Sequence, residues 1–100
     1  MERTLTNLRK TLKGDVYILL RHARIGNRFL RDAEAEGFTI GRDRPTAHPY
    51  ATVMALHDGT IRYVGANGNI RFQCGDAHGF HRVDYEKFVR GAKHFRPDKP

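Results

Sequence analysis

One hundred residues, 39% hydrophobic and 29% charged, suffice for one globular domain with one modest core and are not the composition of a disordered chain. Cys74 is the lone cysteine, so an intrachain disulfide framework is excluded, and the longest apolar run, Val16 to Leu20, is far short of the ~20 residues of a membrane helix. The formal net charge of +7 favours encounters with polyanions or acidic partners, and without an apolar leader at the N-terminus the expectation is a cytoplasmic protein.

The charge is uneven. Residues 1–14 carry a net +3, residues 15–60 balance, and residues 61–100 carry +4. In the first segment Leu5, Leu8 and Leu12 recur at helical spacing before Gly14, and Arg3, Arg9, Lys10 and Lys13 occupy the other faces. The spacing predicts a short amphipathic helix over about residues 2–13, too short to persist unless it docks on the rest of the domain. Val16 to Leu20 is apolar on both faces and reads as a central strand.

A second, central helix is expected over about residues 22–36. Ile25, Phe29, Leu30 and Ala33 share one side of its wheel, and Arg24, Arg28 and Arg31 the other. Gly37 supplies a left-handed stop and Phe38 can fold back on the last turn. Phe38 to Ile40 reads as a short strand, and Gly41 to Pro49 as a loop punctuated by Pro45 and Pro49.

From Tyr50 to Gly75 the turn signals Asp58-Gly59 and Asn67-Gly68 separate three alternating runs, the pattern of a three-stranded antiparallel meander. A two-residue turn at Asp58-Gly59 pairs His57 with Thr60, Leu56 with Ile61 and Met54 with Tyr63. Pairing Tyr63 with Phe72 then puts Ile70, Phe72 and Cys74 on the same core face. The other face would be open, carrying Val53, Ala55, His57, Arg62 and Arg71. Near the end Asp84 is a natural N-cap for a small helix, Val83 can staple to Phe88, and Gly91 stops it.

These elements predict an α+β domain over residues 1–100. A basic N-terminal helix spans 1–14, the α+β core 15–91, and a basic, frayed tail 92–100. The expected sheet is mainly antiparallel. The expected core holds Ile18, Leu20, Ile25, Phe29, Leu30, Met54, Leu56, Ile61, Tyr63, Ile70, Phe72, Val83 and Phe88.

Chemistry is sparse. Cys74, His78 and His81, with Asp76 between them, are zinc-ligand types at close spacing, but they lack the repeated pairs of a structural site, and Cys74 is expected to face the core. A thiol or metal-dependent enzyme built on them is the weakest alternative, and no cofactor motif or glycine-rich phosphate loop stands out. Basic surfaces carry more. Arg24, Arg28 and Arg31 on the central helix, Arg62 and Arg71 on the sheet, and Arg9, Lys10 and Lys13 near the N-terminus are the candidate contacts to RNA, DNA or a protein partner.

Three segments carry a resemblance: Phe29 to Gly41 (FLRDAEAEGFTIG), Asp58 to Gly65 (DGTIRYVG) and Arg82 to Phe88 (RVDYEKF). With the connecting residues, about 15–91, the chain resembles small uncharacterised accessory proteins of bacterial phages and conjugative elements. That resemblance transfers no catalytic or binding residue. It implies a non-enzymatic, anti-CRISPR-like protein that inhibits or regulates a host protein or ribonucleoprotein complex. DNA-mimicking inhibitors are acidic, so a chain of this charge would instead grip RNA or an acidic surface.

Overall fold

The computed structural model describes residues 3–12, 15–65 and 80–95. In chain order these form α1 (Leu5–Thr11), β1 (Asp15–Leu19), α2 (Ala23–Ala35), a 3-10 turn (Pro45–Ala47), β2 (Val53–His57), β3 (Thr60–Tyr63), β4 (Phe80–Asp84) and α3 (Tyr85–Val89). The strands make one four-stranded sheet in the order β3-β2-β1-β4. The class is α+β, as expected.

β1 runs through the middle, antiparallel to β2 and parallel to β4. Val16, Ile18 and Leu20 are fully buried on one side, and Tyr17 and Leu19 are half-buried on the other. That two-sided apolar character suits a strand with neighbours on both edges. The sheet is therefore mixed: two of its three pairings are antiparallel, as expected, and the β1–β4 pairing is parallel. The second neighbour, β4, was not legible as a strand, because His81, Arg82 and Asp84 make its sequence largely polar.

The β2–β3 hairpin has the expected register, with His57 opposite Thr60, Leu56 opposite Ile61 and Met54 opposite Tyr63. Asp58 takes a positive φ of 53° in the turn, a conformation that Asp tolerates better than bulkier residues. The third meander strand, the Asn67-Gly68 turn, Ile70, Phe72 and Cys74 lie outside the described residues. Along the outer edge of β3, Thr39 makes a single parallel bridge to Thr60, with the Ile61 N–H donating to the Thr39 carbonyl at 2.8 Å. The short strand expected at Phe38 to Ile40 reduces to that bridge and an antiparallel one between Ile40 and Asp43. Tyr63, expected in the core, is 45% exposed; it ends β3, and its hydroxyl donates to the Pro49 carbonyl.

All three helices contribute to one core on the Ile18 and Met54 side of the sheet. α1 buries Leu5 and Leu8, α2 buries Ile25, Phe29, Leu30 and Ala33, and α3 buries Phe88 along with Tyr85. Val53 and Ala55 are buried on the opposite side of the sheet and stand outside that cluster. Of the residues expected on an open second face, Val53 and Ala55 are thus covered, while His57 and Arg62 are exposed.

Local chemistry sets the helix ends. His22 caps α2, its Nδ1 accepting the Ile25 N–H at 3.3 Å. At the other end Gly37 adopts φ 87°, its N–H reaching Glu34 and the Phe38 N–H reaching Ala33 at 2.9 Å, with Phe38 buried beneath. This is the paired-bond stop that glycine permits. Asp84 caps α3 by accepting the N–H groups of Glu86 and Lys87, and Val83 and Phe88 are both fully buried on either side of the cap. Past α3, residues 92–95 return to the body of the domain. The Phe95 carbonyl accepts the Asp84 N–H at 2.7 Å, its ring meets Phe88 edge-on, and the Arg3 guanidinium lies over both rings.

Candidate nucleic-acid interface

The outward side of α2 carries the densest basic feature of the described residues. Ala23, Arg24, Asn27, Arg28, Arg31 and Ala35 are all exposed, opposite the buried Ile25, Gly26, Phe29, Leu30 and Ala33. Arg24, Arg28 and Arg31 fall in one row because four- and three-residue steps return to the same helix face. From the first to the last, the row spans about 10 Å of helix axis. Its rigidity comes from behind: Phe29 packs edge-on against Tyr85 at 5.2 Å, and the Tyr85 hydroxyl donates to Asp32 at 2.6 Å.

The ionic partners of the row are unequal. Arg28 reaches Asp32 at 3.3 Å, but that carboxylate is already engaged by Tyr85. Arg24 and Arg31 make no ion pair among the described residues. The neighbouring Glu34 is committed elsewhere, accepting the Thr46 hydroxyl at 2.5 Å and the Thr46 N–H at 3.2 Å. These bonds, with the charge of Arg44 nearby, hold its carboxyl below the ordinary value. Burial, with the bond to Asp32, pushes the Tyr85 hydroxyl far above the ordinary phenol range.

The order of charge along α2 runs against its dipole. Arg24 lies in the first turn and Arg28 in the N-terminal half, Asp32 and Glu34 lie in the last turn, and Arg31 sits between, with no acidic residue in the first turn and no basic residue in the last. In the terminal turns each such placement, Arg24 at one end and Asp32 and Glu34 at the other, costs about 0.3–1 kcal/mol in an exposed helix. The two acids have structural partners, whereas the structure gives Arg24 and Arg31 none.

The N-terminal end of α2 abuts α3, because the parallel strands β1 and β4 feed these two helices side by side. Arg21 pairs with the buried Asp84 at 2.7 Å. His22 uses Nδ1 for the cap, so its other ring nitrogen carries the proton that faces Glu86 at 3.1 Å. Arg90 also approaches Glu86, at 3.6 Å. These pairs lock the helices together. Asp84 was legible as a cap, but its link to Arg21 has no local sequence signal, since 63 residues separate them.

The other predicted contacts do not join the row. Arg9 pairs with Asp58 at 3.3 Å and is only 22% exposed, so it pins α1 to the hairpin turn. Lys10 is exposed beside a groove of about 380 Å³ between α1, Gly37 and Phe38 after α2, and the Asp58-Gly59 turn. In that groove Glu36 and Asp58 offset the cations. Glu36 takes the first N–H groups of α1, Leu5 at 2.9 Å and Thr6 at 2.8 Å, so it caps α1 from a distant helix. Arg62 is exposed on the opposite side of the sheet, paired across from Ala55. Lys13 and Arg71 lie outside the described residues. Sequence reading missed Arg44, which the loop returns to α2 beside Glu34.

For metal chemistry, Cys74, Asp76 and His78 lie outside the described residues, and His81 is half-buried in β4. Among the described residues no cluster of three or more His, Cys, Asp or Glu side chains is arranged to hold a metal. Nor is any described helix long and apolar enough to cross a membrane. No known protein family matches the chain, and no curated protein or solved structure matches it either. The likeness to mobile-element proteins rests on the three quoted segments alone.

Proposed function

We propose that this protein is a non-enzymatic binding module that grips the phosphate backbone of nucleic acid through the outer face of α2. The observation that carries the reading is the exposed row of Arg24, Arg28 and Arg31, with two of the three making no ion pair among the described residues. Arg24, a cation in the first turn that no internal contact offsets, and Arg31, which also makes no internal ion pair, are accounted for by an external anion. Arginine suits this role because its planar fork matches phosphate oxygens. If the mobile-element likeness holds, the ligand belongs to a host nucleic-acid complex, and the protein regulates or inhibits it by occupying that ligand.

Fluorescence anisotropy with labelled DNA and RNA, at low and near-physiological salt, tests this. Reversing Arg24 and Arg31 together to Glu should weaken binding more than tenfold and flatten the log–log salt slope by about 2, since each lost phosphate contact removes about 0.9. Arg62→Glu, on the far side of the sheet, should leave both unchanged. Binding by the wild-type protein that the double reversal does not alter would move the site elsewhere. Absence of binding at near-physiological salt would make the row a protein-docking surface.

A further inference from the structure

Resting on that reading, we infer that the ligand is double-stranded DNA, with α2 lying in the major groove and Asn27 acting beside the arginines as a base reader. A helix of 13 residues is about 20 Å long and, with its side chains, about 10–12 Å across. The major groove of B-form DNA, about 12 Å wide and 8.5 Å deep, admits a body of that size.

The exposed side chains fit base edges as well as phosphates. Asn27 flanks the row, three residues after Arg24 and four before Arg31, and its amide has no hydrogen bond to any described residue. An amide presents a donor and an acceptor together, the pattern that matches the N6 and N7 edge of adenine. The arginine fork matches the O6 and N7 edge of guanine. Ala23 and Ala35 keep the two ends of this side small. Outside the row, Arg44 is exposed beside the C-terminal half of α2, where a flanking phosphate would pass.

Single strands fit less well. Proteins that hold unpaired bases stack them on exposed aromatic rings. The one exposed large hydrophobic among the described residues is Tyr63, at the end of β3 and not on α2. Duplex RNA fits less well too, because its major groove is too deep and narrow for side chains to read.

The test is selection from a random pool of short DNA duplexes, followed by competition of the selected duplex against its separate strands and the matching RNA duplex. A recurring motif containing adenine and guanine is expected, with affinity for the duplex at least tenfold above that for either competitor. Asn27→Ala should cost about 5- to 150-fold on the selected site, the range of one lost bidentate base contact, and leave the salt slope unchanged. Asn27 is exposed, so this variant leaves the core intact, and its circular dichroism should match the wild type. Equal affinity for duplex and single strands, preference for RNA, or a selected motif that Asn27→Ala does not weaken would each overturn the inference while leaving the backbone-gripping role in place. No binding to any nucleic acid would overturn both.

Discussion

Gly26→Ala exchanges one of the poorest helix formers for the best, four residues into a 13-residue helix. By propensity alone it should stabilise the protein by about 1 kcal/mol. The structure predicts the opposite sign. The ring of Tyr50 lies directly on the α2 backbone at this position. A Cβ at residue 26 would stand 2.3 Å from Tyr50 Cγ, 2.4 Å from Cδ2 and 2.8 Å from Cδ1. Ordinary carbon contacts begin near 3.5 Å, so the ring must move by roughly 1 Å or more, and its packing against the core is disturbed.

Forcing atoms into a packed site costs about 1–3 kcal/mol, which outweighs the helix gain over most of that range. The net expectation is a loss of about 0–2 kcal/mol. For a domain of this size the corresponding fall in Tm is about 4–8 °C for each kcal/mol. Urea and thermal denaturation followed by circular dichroism would measure it. In a Tyr50→Ala background the same Gly26→Ala change should instead stabilise by about 1 kcal/mol, because the obstacle is gone. A higher Tm for Gly26→Ala in the otherwise wild-type protein would refute the reasoning, and so would the same effect in both backgrounds.

Glu36→Gln removes the carboxylate that caps α1 from α2; the loss should be about 1–2 kcal/mol, with faster hydrogen exchange at the Leu5, Thr6 and Leu8 amides than elsewhere. Unchanged exchange at these amides would show that α1 docks without this cap. Tyr85 predicts an alkaline limit: its folded value is raised above the ordinary 10.0, so its contribution is whole below about pH 10 and declines as pH rises beyond it. Absorbance titration of the phenolates should show one tyrosine ionising only with unfolding, and Tyr85→Phe should remove that step. A phenolate titration identical in the two proteins would contradict this.

Sequence reading reached furthest where the controlling contacts are local. The Asp58-Gly59 turn, the Gly37 stop and the Asp84 cap each act within a few residues, so their outcomes could be read from neighbours. The row of Arg24, Arg28 and Arg31 was equally legible, since helical periodicity alone puts it opposite Ile25 and Phe29. What depended on distant partners was not. β4 is a strand because β1 has a second edge to fill, not because His81, Arg82 and Asp84 favour one. The burial of Val53 and Ala55 likewise depends on packing beyond the hairpin's own alternation. Arg9 looked like a surface cation, yet it is spent on Asp58, 49 residues away. Gly26 likewise carries no local signal of its role, because the ring of Tyr50 that covers it comes from 24 residues further on.

The measurement closest to the central claim is a two-dimensional amide NMR titration of the labelled protein with a short DNA duplex. The account predicts shifts concentrated at Arg24, Asn27, Arg28 and Arg31, extending to Arg44, with little change around Arg62 or the groove beside Lys10. Shifts centred on the groove or on the far side of the sheet, or none at all, would contradict it.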